Sequence, residues 1–556
     1  MSSRQPRSSN AATISAQNLP VCDFGSRWVD FAKKVGCVFS VALSLAGCES
    51  SSDELPDFGA TPLAGNVENV NQSGNDVGVT GNSQDEVKPE LPQGFPGDEL
   101  AAQEGCSLPS EPNCSAARVV IRSQQAMDAF MSWGCSSFAG DVIIEAGECT
   151  GESQVESLLG LQGLVDMGGE LSIGGLAGIG GWEGLANLRS LKALNLEELD
   201  LADLSAFRGL NSVRDLSLTR LSKLATLSHL GSLRITRSLR LVTLPALADD
   251  NGIEMFDLGE LKQMDVVDVA NFTGSRPWSL GSTLNQLRLV ELPLLAGLGF
   301  LGDLRIESSS DDASLELSNL PALTNFAALS FSTAARTVKI AATALSQLDV
   351  LPQQVTGSLE IRDNAWLGQI GGNVELNDAS LVIADSPALT SIAPFAADST
   401  PASLVFSNLE SLPSLAALAT ISDLRPETLV VNKLPLLHDL DALANLHSVG
   451  SIHSGCEVMC SPDGIGDAST SMQCMQQVRV WTGRFEVTNN AALADIGGLQ
   501  AIEAVGGTFA LHGSPAIVTS ETCVQVRAWR SQALSQGDVC GAWVDSDDIR
   551  MLCDRE

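Results

Sequence analysis

One unit, Leu-x-Leu/Ile-x-x-x-Pro-x-Leu, recurs with a period of about 23 residues through most of this chain. It occurs as Leu239-Arg240-Leu241 with Pro245 and Leu247, and as Leu287-Arg288-Leu289 with Pro293 and Leu295. Leu315-Glu316-Leu317 with Pro321 and Leu323 follows, then Leu381-Val382-Ile383 with Pro387 and Leu389. Two further copies are Leu429-Val430-Val431 with Pro435 and Leu437, and Phe509-Ala510-Leu511 with Pro515 and Ile517. The proline keeps the same distance from the first apolar residue in all of them. A fixed period of this length means stacked coils, and stacked coils commonly present a binding surface.

Unit starts fall at 171, 194, 216, 239, 267, 287, 315, 338, 359, 381, 404 and 429, with weaker ones near 142 and 451 and two more at 485 and 509. Within a unit, apolar residues alternate once and then recur every third residue, as in Leu315, Leu317, Leu320, Leu323, Phe326 and Leu329. Alternation is a strand signal. Spacing by three suits tight triangular coils better than a helix of period 3.6. Proline has no N–H to give, so it belongs at a corner outside the ladder. The sequence therefore predicts an all-β solenoid, a right-handed parallel β-helix with disulfide-bearing caps and short cap helices. At ~4.8 Å per coil its coils make a rod of roughly 70 Å.

Apolar residues make up 44% of the chain and aromatics only 4%, with no tyrosine, which suits narrow coils with little room for rings. The formal net charge is −35. Nucleic acid is excluded as a partner, because phosphate neutralisation needs clustered Lys and Arg. The acidic surface itself reads as a solubility device.

The first residues read as a targeting segment. Arg27, Lys33 and Lys34 precede an apolar run from Val35 to Leu45 that is too short to span a bilayer and suits a signal-peptide core. The run ends in Leu45-Ala46-Gly47-Cys48, which resembles the bacterial lipobox; Cys48 is then the lipidated first residue of the mature protein. The long stretch before Lys33 suggests a translation start further downstream, near Val29. Acyl chains hold a protein at a membrane with about 0.8 kcal/mol per buried methylene. Residues 49–105 carry twelve Asp or Glu against the single Lys88, with many Ser, Asn, Gly and Pro. Such a composition does not fold. A flexible chain of this length averages roughly 40 Å end to end and lifts the folded body off the membrane.

Ten cysteines bracket the repeats: Cys106, Cys114, Cys135 and Cys149 before them, and Cys456, Cys460, Cys474, Cys523, Cys540 and Cys553 after. Even-numbered groups suit disulfides in an exported protein, and their position suits the caps that close a solenoid's apolar ends. Connectivity is open. The domain plan is a leader and lipoprotein signal peptide over 1–47, a disordered acidic tether over 48–105 and a Cys-rich N-terminal cap over 106–150. The repeat solenoid follows over 151–455, a Cys-bearing insertion over 456–484, and final coils with a C-terminal Cys-rich cap over 485–556.

The pattern resembles the receptor L domain, whose units read Gly-x-Leu-x-Ile-x-x-Asn-x-x-Leu. Gly357-Ser358-Leu359-Glu360-Ile361-Arg362-Asp363-Asn364-Ala365-Trp366-Leu367 matches it, as does Gly483-Arg484-Phe485-Glu486-Val487-Thr488-Asn489-Asn490-Ala491-Ala492-Leu493. Ser123 through Gly134-Cys135 to Gly140-Asp141-Val142-Ile143-Ile144 is similar to that family's N-terminal cap: a short helix, a Gly-Cys, then the first strand. The resemblance covers about residues 106 to 530 and implies a ligand-binding solenoid. The chain departs from the family in lacking a furin-like cysteine-rich module and in carrying more coils than one L domain. An ordinary leucine-rich repeat is the rival fold, but the asparagine of its Leu-x-x-Leu-x-Leu-x-x-Asn-x-Leu unit is mostly missing.

The middle residue of each Leu-x-Ile points outward. Coil by coil the row reads Ser172, Asn195, Ser217, Arg240, Asp268, Arg288, Glu316, Lys339, Glu360, Val382, Val405 and Val430. From Arg240 to Glu360 the sign alternates at every step, and opposite charges on neighbouring strands favour correct register at roughly 0.2–1 kcal/mol a pair. Val382, Val405 and Val430 then form an apolar stripe, the candidate face for a protein or glycan partner.

No catalytic constellation stands out: the sequence has no Gly-x-Ser-x-Gly, no His-Glu-x-x-His and no phosphate-binding glycine loop. His438, His447 and His453 lack metal-ligand spacing, and a zinc site at Cys456, Cys460 and Cys474 fits poorly with an oxidising compartment. Asp463-Gly464-Ile465-Gly466-Asp467 is only a fragment of a calcium loop. Neither a metal nor a cofactor is expected. The expectation is a membrane-anchored, exported, non-enzymatic lipoprotein of the bacterial envelope, with a receptor-like or adhesin-like binding surface. A passive envelope spacer and a β-helix polysaccharide-degrading enzyme are the alternatives.

Overall fold

A computed structural model describes residues 105–147, 149, 153–248, 252–307, 312–456, 477–505 and 508–514. The chain divides into two units, 1–91 and 92–556, and the described residues all belong to the second. Cys48 and the leader therefore lie outside the described residues, as does most of the tether.

The second unit is a parallel β-solenoid of about 15 turns. Its main sheet has 19 strands. One strand per coil forms each rung, from Arg118–Ile121 through Glu170–Gly174 and Gln286–Val290 to Thr508–His512. The first rung lies inside the cap region, ahead of any unit seen in the sequence. The second and fourth residues of these strands point inward, as Leu171 and Ile173 do in Glu170–Gly174. In one coil Leu287, Leu289, Leu292, Leu295, Leu298 and Leu301 are all at most 2% exposed, so both the alternation and the spacing by three face a single interior. Each such leucine removed from water contributes about 1.5–3 kcal/mol before chain entropy is set against it.

From Glu170–Gly174 onward the corner at the end of each rung is left-handed. Glu198, Arg220, Thr243, Asp268, Glu291, Asn319, Ala342, Asp363, Asp385, Asn408, Lys433 and Asn489 all have φ between 49° and 59°. Non-glycine residues rarely hold that conformation. It persists here because the corner N–H is drawn into the ladder: Glu198 donates to Thr219 O at 3.1 Å, Thr243 to Val267 O at 2.9 Å and Asp385 to Ser407 O at 3.0 Å. Pro245 follows Thr243 in the turn beyond, outside the strand, as the missing N–H requires. Short strands or 3-10 turns make the other sides of the coil, such as Leu304–Ile306 paired with Leu329–Phe331, or the turn Ser205–Phe207.

The N-terminal end is closed by the α-helix Gln124–Ser132, where Ser123 Oγ accepts the Ala126 N–H at 3.0 Å. Its buried residues Ala126, Met127 and Phe130 cover the first coils, and the Phe130 ring meets Phe138 edge-on at 5.5 Å. Cys106 pairs with Cys149 and Cys114 with Cys135. Cys460, Cys474, Cys523, Cys540 and Cys553 lie outside the described residues; Cys456 ends a strand whose side chains are not described.

Two unit starts differ from the sequence reading. The rung placed at 267 is the strand Gln263–Val267, with Met264 and Val266 buried inward. The weak start near 451 is not a coil: Ser451–Cys456 pairs antiparallel with Gln477–Thr482 as a hairpin. The rung Thr428–Asn432 pairs directly with Arg484–Thr488, so the hairpin interrupts the sequence but not the ladder.

Candidate binding face on the main sheet

Backbone pairing sets the outward row residue by residue. Arg240 lies opposite Asp265, Asp265 opposite Arg288, and Arg288 opposite Glu316. Lys339, Glu360, Val382, Val405 and Val430 continue the row, and Glu486 follows. The acid between Arg240 and Arg288 is thus Asp265. Asp268, expected there, is the left-handed corner of that coil (φ 53°).

The charges satisfy one another along the row. Asp265 takes Arg240 at 3.5 Å and Arg288 at 3.4 Å. Glu316 takes Arg288 at 2.7 Å and Lys339 at 3.0 Å. Glu360 turns to Arg362 on its own strand, at 2.6 Å. Burial pushes the Asp265 carboxyl above its ordinary value, against the pull of Arg288 and Arg240. Burial also pushes Glu316 up, yet hydrogen bonds from Arg288 and Lys339 outweigh it and hold that carboxyl below the ordinary glutamate value. Charges engaged in this way set register and leave little valence for an ionic ligand.

Beyond Glu360 the row loses its charge for three rungs. Val382 and Val405 are half-buried, whereas Val430 is only 7% exposed and does not belong to an open stripe. Ser380, Ser403 and Thr428 stand one file over on the same strands, half-buried. At the edge where these three strands begin lies a cleft of about 460 Å³, lined by Asp378, Thr400, Pro401, Ala402, Asp423, Arg425 and Glu427. Arg425 Nε donates to Asp423 Oδ1 at 2.8 Å inside it. The cleft carried no signal in the sequence, since its residues come from three coils and lie in the turns that the repeat leaves variable.

Among the described residues the histidines do not converge on a site. His447 stands 3.8 Å from Asp423, and the side chain of His453 is not described. Among the described residues no group of three or more His, Cys, Asp or Glu stands close enough to hold a metal ion, and no helix is long and apolar enough to cross a membrane. No protein-family model matches the chain, and no curated protein is significantly similar to it.

Proposed function

We propose that this protein is an exported lipoprotein, acylated at Cys48, whose solenoid binds a protein or glycan ligand at the envelope surface. One observation carries the binding reading: on the rungs Ser380–Ala384, Ser403–Ser407 and Thr428–Asn432 the outward charges stop, and a cleft bordered by Asp378, Asp423, Arg425 and Glu427 opens beside the uncharged tract. Valine methyls and hydroxyls in file, next to carboxylates and a guanidinium, offer both apolar contact and directed hydrogen bonds. The leader motif supports export, and the cap disulfides Cys106–Cys149 and Cys114–Cys135 suit an oxidising compartment. The receptor L-domain reading is supported by Asn364 and Asn490, which play the same part in two coils.

Val382→Asp combined with Val405→Asp, in the full chain, is expected to weaken capture of envelope proteins or glycans at least tenfold, about 1.4 kcal/mol. The new carboxylates stand beside each other and beside Glu360, so the melting temperature should fall somewhat; Val382→Ser with Val405→Ser removes the methyls without that repulsion, should keep the parent's melting temperature more closely and should also weaken capture. Unaltered capture refutes the binding face and leaves a passive spacer. Depolymerisation of an acidic polysaccharide by the parent protein would favour an enzyme using the carboxylates of the cleft.

A further inference from the structure

Six large apolar side chains are exposed among the described residues, and three of them, Leu294, Trp366 and Leu436, share one place in the repeat. Each follows its rung's first apolar residue, Leu287, Leu359 or Leu429, at the same distance, just past the corner residue Pro293, Ala365 or Pro435. Trp366 is 70% exposed, more than the other five. Packing does not ask for a ring there: Ala388 fills the same place in the next coil and Ala322 two coils before, while Leu345, at that distance in the coil between, is turned inward. Successive pairings put Leu315 and Val338 between the first two of these rungs, and Leu381 and Leu404 between the last two. The three side chains thus stand three rungs apart, ~14 Å at the strand spacing. Pro293, Pro321, Pro387 and Pro435 line the ridge, with Ala344, Ala365 and Glu410 in the same place on the other coils.

An extended polypeptide rises ~3.4 Å per residue and shows every second side chain to one face, so residues four apart repeat at ~14 Å. The charged border of the ridge selects the sign of such a chain. The exposed corner residues Glu291, Asp363 and Asp385 flank it against Lys433 alone. Arg362 stands 3.8 Å from Asp363 but is turned to Glu360 at 2.6 Å. Acidic borders attract Lys and Arg, and an exposed indole adds a cation–π surface and a hot-spot anchor. The same border repels an anionic lipid surface.

We propose that the corner ridge centred on Trp366 docks an extended, basic segment of a protein partner, with apolar residues at every fourth position seated near Leu294, Trp366 and Leu436. This surface lies around the corner from the valine tract and does not depend on it. The test is a labelled synthetic peptide with leucine at every fourth position and lysine between, titrated against the full chain by fluorescence anisotropy. Saturable binding that weakens with salt is expected. Trp366→Ala should weaken it about tenfold, and Leu294→Ser with Leu436→Ser by a similar factor, with melting temperatures unchanged. A peptide with glutamate in place of lysine should not bind, and Val382→Asp should bind the lysine peptide as the parent does. Absent binding to the parent, equal binding by Trp366→Ala, or loss at Val382→Asp instead would overturn the proposal. So would Trp366-dependent binding to anionic lipid vesicles in place of the peptide.

Discussion

Asn364 and Asn490 show what one side chain can do for a coil. Both are fully buried. Asn364 Oδ1 accepts the Thr343 N–H at 3.0 Å and the Thr343 hydroxyl at 2.7 Å, while Nδ2 donates to Ile340 O at 2.9 Å. Asn490 does the same four rungs later, accepting from Leu434 N at 2.8 Å and donating to Val431 O at 3.0 Å. Each amide thus stitches its coil to the backbone of the coil before. Asn364→Ala leaves a buried donor and acceptor unpaired, so a loss of about 2–4 kcal/mol is expected, read as a lower denaturation midpoint. These two asparagines were legible as motif positions in the sequence. The left-handed corners were only partly so: Asp or Asn stands at six of the twelve, as that conformation favours, but Glu, Arg, Thr, Ala and Lys occupy the others. For those others the ladder bond made by the corner N–H accounts for it.

At the scale of the strand, the charged row is a small electrostatic device with two opposed halves. Glu316, with its pKa held down, contributes stability that is present above the ordinary glutamate value of 4.5 and is lost as pH falls through its folded pKa. Asp265, with its pKa raised above 3.8, has the opposite sign: the folded state takes up its proton first, so acidification relieves the cost of burying the charge. Glu316→Gln should lower stability at neutral pH and flatten the acid limb of a urea-midpoint titration. Asp265→Asn should remove a gain on acidification and leave the acid limb steeper. Equal acid limbs in the two variants would contradict this division. The register error at Asp268 arose here. Met264-Asp265-Val266 and Val267-Asp268-Val269 alternate equally well, and only pairing with Arg240 and Arg288 decides between them.

Over the whole molecule, each coil touches only its neighbours, so the ends carry particular weight. The N-terminal cap is stapled by Cys106–Cys149 and Cys114–Cys135 and covered by one amphipathic helix. Cys114→Ser with Cys135→Ser is expected to cost about 2–4 kcal/mol. Hydrogen exchange should rise first in the cap and the first rungs, and least near Leu315–Leu317; uniform acceleration would mean that the coils unfold as one block. The sequence alone determined the parallel solenoid, the inward leucines and the proline corners, because burial repeats with the chain's own period. It determined the charge alternation as well, apart from one slipped position. The tertiary structure alone decided which acid joins the row, that Val430 is covered, that Ser451–Cys456 leaves the ladder as a hairpin, and that a cleft opens beside Val382 and Val405. It also brought Leu294, Trp366 and Leu436 onto one edge. Those facts depend on contacts between residues one or more coils apart, and no local pattern records which coils become neighbours or what fills the turns between them.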